Sequence, residues 1–368
     1  MSKPLVLTCD IGTQSARALL VDPDGRIVDV VQSKYAEPYF SKEPGWAEQK
    51  PDFYFDRLCE CCRELCARSN ALLPDVIAMT ITVIRDTVVC LDENNNPLRD
   101  IILWLDKRSV DPNGAMPAKN MMVFKLAGME PTAKVVYAAS AGNWIMRHEP
   151  EIWARTAKYV MLPTYLNYKL TGNLIDSASN QIGHIPFDYK NRRWMKPGSL
   201  TRCFCDVPNE KLCDLVPSGT VIGTITEQVS ALTGIPAGLP LISTGSDKGC
   251  ETLGLAVVDS DKASISLGTT ATIQFSTTQY VEPQQFLPAY PGVLNDHYNP
   301  EIEIYRGLWL LSWFVKEFGT ADAIDAKEKG MAPEALLDAR IRDLPAGSDG
   351  LLLQPYWTAG ILHPDSLG

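Results

Sequence analysis

Two stretches of this chain carry residue types suited to holding phosphate. The first is Leu5-Val6-Leu7-Thr8-Cys9-Asp10-Ile11-Gly12-Thr13-Gln14-Ser15-Ala16-Arg17, an apolar strand that ends in Asp-Ile-Gly-Thr before a second apolar run at 18–22. Such an ending sets a carboxylate and backbone N–H groups at a sheet edge, where a phosphate and its metal ion are held. The second is residues 263–275, in which Gly268-Thr269-Thr270 separates two alternating runs. Glycine allows the backbone to approach an anion closely, and threonine adds a hydroxyl donor. Each stretch alone also reads as an ordinary hairpin with a polar turn. Together they suggest a duplicated domain with one phosphate-holding turn from each half, divided near residues 245–257.

The elements that would position these turns follow from hydrophobic spacing. Strands are expected at 5–10, 16–21 and 26–32, with Asp22-Pro23-Asp24-Gly25 as the tight reversal between the last two. Pro51 suits the first position of a helix whose apolar face is Phe55, Leu58, Cys59, Cys62, Leu65 and Cys66. Further strands are expected at 76–82, 87–91 and 101–104. Residues 121–171 read as mainly helical, the last helix stopping at Thr171-Gly172. After a polar, partly extended stretch at 176–187, strands are expected again at 221–228 and 240–244. The pattern is α/β with part of the sheet antiparallel.

Composition sets limits. The 368 residues suffice for two domains, and 45% hydrophobic with 21% charged residues is a globular profile. A formal net charge of −10 argues against nucleic acid as the main partner. No apolar run approaches membrane-spanning length. Ten cysteines, without histidines at zinc-ligand spacing or a signal-peptide pattern, suit a reducing cytoplasm.

Five motifs then occur in one order: Asp10-Ile-Gly-Thr13, Pro44-Gly-Trp-Ala-Glu-Gln49, Trp104-Leu-Asp-Lys-Arg108, Gly245-Ser-Asp247 and Ser266-Leu-Gly-Thr-Thr270. In this the chain resembles FGGY-type carbohydrate kinases, which include glycerol kinase, xylulokinase and ribulokinase. The resemblance implies an actin-like ATPase fold of two ribonuclease-H-like domains about a central cleft. It implies an N-terminal sugar-binding domain at 1–250 and part of a nucleotide-binding domain at 251–368. It also implies ATP-dependent phosphorylation of a hydroxyl on a sugar or polyol. Asp10 would help hold Mg²⁺. Gly12, Thr13 and Gln14 would form the first phosphate turn, and Gly268, Thr269 and Thr270 the second. Asp247 would be the catalytic base, taking the proton of the attacking hydroxyl; an N-cap role for this aspartate is the plainer alternative.

Substrate-facing residues follow from the same resemblance. Ile81-Thr82-Val83-Ile84-Arg85-Asp86-Thr87 lies where the family varies with substrate, and Arg85-Asp86 resembles the Arg-Glu pair of glycerol kinases. An arginine beside a carboxylate donates to and accepts from adjacent hydroxyls, though the two also form a plain strand-end ion pair. Lys248 stands where relatives more often have Asn, Gln or Ala, and would meet an acidic or phosphorylated substrate or pair with Asp247. Trp104, Asp106 and Tyr137 are further candidates for the sugar pocket, with Trp104 also reading as a core aromatic and Tyr137 one residue out of local register. The four histidines sit in no matching motif and read as structural or exposed. Residues 355–364 resemble a second-domain segment that the family follows with an adenosine loop. The expectation is therefore a partial second domain that exposes apolar area, favours association such as a homodimer, and leaves this chain weakly active or inactive. Two rival readings remain: another actin-like phosphotransferase, or a catalytically silent binding or regulatory protein.

Overall fold

The computed structural model describes residues 3–268, 270–284, 287–304 and 307–353. Thr269 and the 355–364 segment lie outside them. The opening meander forms as its alternation requires: Leu5–Ile11, Ser15–Val21 and Ile27–Lys34 are antiparallel neighbours. Leu5, Leu7, Cys9 and Ile11 are buried, and the residues between them are half-exposed. The helix Pro51–Arg68 lies against the second and third strands. It buries Cys61 and Tyr54 as well as the six expected positions. All ten cysteines are free thiols, and Cys9 Sγ lies 3.5 Å from Cys62 Sγ.

Six strands make the main sheet, in the order Val221–Thr224, Pro240–Ile242, Val76–Val83, Leu5–Ile11, Ser15–Val21, Ile27–Lys34. Leu5–Ile11, Val76–Val83 and Pro240–Ile242 run parallel at its centre. Their carboxyl ends therefore open at one edge of the sheet, and ligands of open α/β sheets bind outside such ends. This topology brings Asp10, Arg85-Asp86 and Asp247 together from three distant parts of the sequence. Thr82 Oγ1 donates to the Gly245 carbonyl at 3.0 Å, and Thr244 Oγ1 donates to the Ile81 carbonyl, tying two of the strand ends.

Three expectations need adjustment. The 121–171 region is helical except for the strand Lys158–Met161, which pairs antiparallel with Val88–Leu91. The apolar run at 101–104 is a strand only at Ile101–Ile102, because the Asp106 N–H turns back onto the Leu103 carbonyl. The 221–228 run stops at Thr224. Thr226 then caps a helix, Glu227–Thr233, which ends on left-handed Gly234.

The second Gly-Thr stretch repeats the opening design. Ser264–Leu267 and Ala271–Gln274 form an antiparallel hairpin, and Glu301–Ile304 adds a third strand. Helices Trp309–Glu317, Thr320–Glu328 and Pro333–Ile341 follow and pack on one another. Among the described residues no helix is long and apolar enough to cross a membrane.

Candidate active site

A cleft of about 1660 Å³ opens along this edge, lined by Asp10, Thr13, Arg85, Asp247, Gly268 and Tyr290 among others. Both predicted phosphate turns border it. The Gly12 N–H donates to the Ser15 carbonyl at 3.0 Å, and the Gly268 N–H donates to the Thr270 carbonyl at 3.0 Å. Each glycine N–H thus closes its own turn. Gly307 seats the second turn: a Cβ there would lie 2.4 Å from both the Gly268 and Thr270 carbonyl oxygens. Trp104 serves the first turn, its Nε1 donating to Thr13 Oγ1 at 3.0 Å.

Asp10 ends the central strand opposite Arg17 of the next strand. Arg17 Nη1 binds Asp10 Oδ2 at 2.6 Å. Gly12, Thr13 and Gln14 follow it along the cleft wall.

Asp247 is the first residue of the helix Asp247–Gly254. Ser246, not Asp247, is the cap, its side chain accepting from the Gly249 N–H. Asp247 is thereby left to the cleft. Its Oδ1 accepts from the Lys248 N–H at 2.8 Å and lies 3.5 Å from Arg85 Nε. Among the described residues Oδ2 has no protein partner. Burial pushes the carboxyl above its ordinary pKa, opposed by the charges of Arg85 and Lys248.

Arg85 is almost fully engaged. Its Nη1 and Nη2 bind Glu301 bidentately at 3.1 and 3.0 Å, and its guanidinium lies 5.5 Å from the Tyr290 ring centre. Glu301 also accepts from Gln274 Nε2, and Thr252 Oγ1 donates to Gln274 Oε1 at 2.6 Å. A buried chain of contacts thus runs from the second sheet to the proposed base. Neither Glu301 nor Gln274 belongs to a recognised motif. Their only sequence signal is a place on the polar face of a strand that alternates polar and apolar residues.

Lys248 pairs with neither Asp247 carboxylate oxygen. Its Nζ binds Glu251 Oε2 at 3.0 Å and donates to Ser266 Oγ at 2.7 Å. Asp86 is equally committed, accepting from the His184 N–H at 2.8 Å and meeting His184 Nδ1 at 2.7 Å. His184 was thus not one more peripheral histidine. Its signal was its place in a polar stretch, which the structure folds back to the cleft.

Asp106 faces protein on both oxygens, accepting from Arg108 N, Nε and Nη2 and from the Ala47 N–H. Tyr137 does not line the cleft; it packs beside Met116, Phe124 and Ala133, while its neighbour Val136 is at the wall. Successive positions of the helix Glu130–Ala139 point in different directions, so Val136 meets the cleft where Tyr137 does not.

Residues 5–254 match the family described as FGGY family of carbohydrate kinases, N-terminal domain. The chain belongs to the FGGY family of carbohydrate kinases. It is 26% identical to an uncharacterised sugar kinase, YgcE, of Escherichia coli strain K12, over 100% of this chain and 67% of that protein. It is 23% identical to a xylulose kinase of Bacillus subtilis strain 168, over 95% of this chain and 67% of the other. The gluconate kinase structure from Lactobacillus acidophilus superposes with a TM-score of 0.77 at 22% identity, covering 97% of this chain and 69% of that one. This FGGY chain thus spans about two thirds of the length of these relatives and has their actin-like fold.

Proposed function

We propose that this FGGY-family chain catalyses ATP-dependent phosphorylation of a hydroxyl on a sugar or polyol, with Asp247 as base. The observation that carries the reading is Asp247 itself. It is released from capping by Ser246, and its Oδ2 has no protein partner among the described residues. A hydroxyl placed against that oxygen loses its proton to the carboxylate as it attacks phosphorus. Phosphoryl transfer otherwise asks the protein for alignment and charge compensation rather than covalent chemistry. The burial that raises the Asp247 pKa makes it a stronger base, and the charges of Arg85 and Lys248 oppose that rise in favour of the carboxylate.

The residues present suit magnesium and nucleotide. Arg17 occupies only Oδ2 of Asp10, so Oδ1 remains for an ion that binds through one or two carboxylates and keeps several waters. Thr13, Gln14 and Thr270 would hold the phosphates, as would Thr269 by the family resemblance. When bound, Mg-ATP supplies the transferable phosphoryl group and part of the charge compensation. The same reading divides the chain into a sugar-binding part, 1–250, and part of a nucleotide-binding domain, 251–368. A reducing cytoplasm suits its ten free thiols.

The test is ADP release with ATP and Mg²⁺ across a panel of polyols, ketoses and sugar acids. Asp247→Asn should lower turnover by about 10²- to 10⁴-fold, the usual worth of a general base, with nucleotide binding retained. Undiminished turnover in that variant would overturn the assignment. Nucleotide binding without turnover on any member of the panel would favour a silent binding protein.

A further inference from the structure

We infer that His184, held in place by Asp86, is the side chain that reads the substrate, and that it reads an uncharged polyhydroxy compound rather than a sugar acid. The inference rests on the kinase reading for the location of the substrate, but it makes a separate claim about binding.

The backbone is shaped to present this histidine. Asp86 has φ +46°, a left-handed conformation that a residue with a side chain keeps only when its surroundings hold it. Its N–H donates to the Ile182 carbonyl at 3.0 Å. The intervening Gly183 has φ +145°, and a Cβ there would lie 2.2 Å from Asp86 Oδ1. Only glycine allows the 182–184 segment to lie so close to the strand end. Asp86 then grips His184 twice, at its N–H and at Nδ1. With both oxygens engaged, Asp86 is a positioning residue.

That grip decides what the imidazole offers. Nδ1 is committed to the carboxylate, so Nε2 is the nitrogen left for a ligand. Among the described residues Nε2 has no protein partner, and the side chain lines the cleft with 31% of its surface exposed. Burial favours the neutral ring, but the charge of Asp86 and its hydrogen bond to Nδ1 together outweigh it and hold the His184 pKa above its ordinary value. A hydroxyl both donates and accepts, so it satisfies Nε2 in either protonation state.

The charges nearby disfavour an acid. Arg85 is bound bidentately by Glu301 and faces Asp247. Lys248 is bound by Glu251 and Ser266, and His184 by Asp86. Glu303 adds a fifth carboxylate, against three basic side chains, along the same wall. Each of these three cations already has an anionic partner, and Lys190, elsewhere on the cleft lining, lies 6.0 Å from the Tyr280 ring centre. A substrate carboxylate would displace one of these pairs or face uncompensated repulsion, which costs more in a partly buried site than in water.

The experiment compares uncharged polyols and ketoses with aldonates of matched carbon number. It uses ADP release and, separately, nucleotide-free binding by ligand-observed NMR. Uncharged compounds should bind, with aldonates weaker by about tenfold or more, a factor equivalent to one good interaction. His184→Ala should raise KM for the uncharged compound by about the same factor with a much smaller change in kcat, and His184→Gln should restore part of it. Preferred turnover of aldonates would overturn the inference and leave the kinase reading intact. Loss of uncharged-sugar binding in His184→Ala, in a wild-type chain that releases no ADP, would support the inference and count against the kinase reading. A change in kcat alone, or no binding of uncharged compounds, would overturn the inference. If His184→Ala does not fold, His184→Gln and the wild-type preference carry the test.

Discussion

Asp247 stands between two opposing influences, and one arginine sets their balance. Burial raises its pKa, and the nearest opposing charge is Arg85, whose Nε is 3.5 Å away while its other nitrogens hold Glu301. A base works only when ionised, so whatever raises its pKa moves the acidic limb of the activity profile to higher pH. Arg85→Gln removes the charge that favours the carboxylate. The acidic limb of kcat/KM should then move up by roughly one pH unit, the lower end of the effect of an adjacent opposite charge. The loss should be larger at pH 6 than at pH 8. Glu301→Gln should act in the opposite direction, since it leaves the Arg85 charge for Asp247 alone. A pH series of ADP formation checks both. Limbs that stay put in both variants would show that the titrating group is not Asp247.

At the scale of elements, the loop at 44–49 and the turn at 104–108 form one interlocked unit. Glu48 is buried and takes Arg99 at 2.8 Å, Lys42 at 2.9 Å and Arg108 at 3.0 Å. Arg108 also binds Asp106, and its guanidinium stacks 3.8 Å from the centre of the Trp46 ring. Arg108→Ala would leave two buried carboxylates short of their counter-charge. It should cost about 3–5 kcal/mol, the range for breaking a buried ion pair from one side, read as a lower denaturant midpoint at unchanged slope. A loss below 1 kcal/mol would show that Lys42 and Arg99 suffice. This unit also shows how far sequence reaches. Both motifs were visible as residue strings, because tryptophan, proline and charged residues in fixed order stand out. Their partnership was not, since it depends on a register between Glu48–Gln49 and Ile101–Ile102 that no local pattern encodes. The strands and first helix were legible from period and Pro51. Asp10 was legible because it lies at the end of an apolar strand, and Asp247 because it opens a helix just after one. Glu301 and His184 were not, because each acquires its role from a partner, Arg85 or Asp86, about 216 and 98 residues away.

At the scale of the whole molecule, the two meanders repeat in topology but differ in how their faces are covered. In the second, register sorts the side chains into rows. Ser264, Gln274 and Glu301 align on one face, as do Ser266, Thr272 and Glu303. This polar face is buried or half-buried and carries the contacts to Lys248 and Arg85. Ile265, Ile273 and Ile302 align on the other face, beside Leu267 and Ile304, and all five are exposed, Ile265 by 62%. In the first meander the first strand buries Leu5, Leu7, Cys9 and Ile11. A contiguous apolar sheet face in water is a driving force for association, and the edge strands beside it add pairing sites. The chain should therefore bind an apolar dye such as ANS and shift to larger species with rising concentration in size-exclusion light scattering. Ile265→Lys combined with Ile302→Glu puts opposite charges on the two strands flanking Ile273. It should lower both dye binding and association while far-UV circular dichroism is unchanged, because the polar rows that anchor the sheet to the cleft are untouched. Association that persists at wild-type level in this variant would place the sticky surface elsewhere, and a collapsed dichroism signal would show that the apolar face is packed rather than exposed.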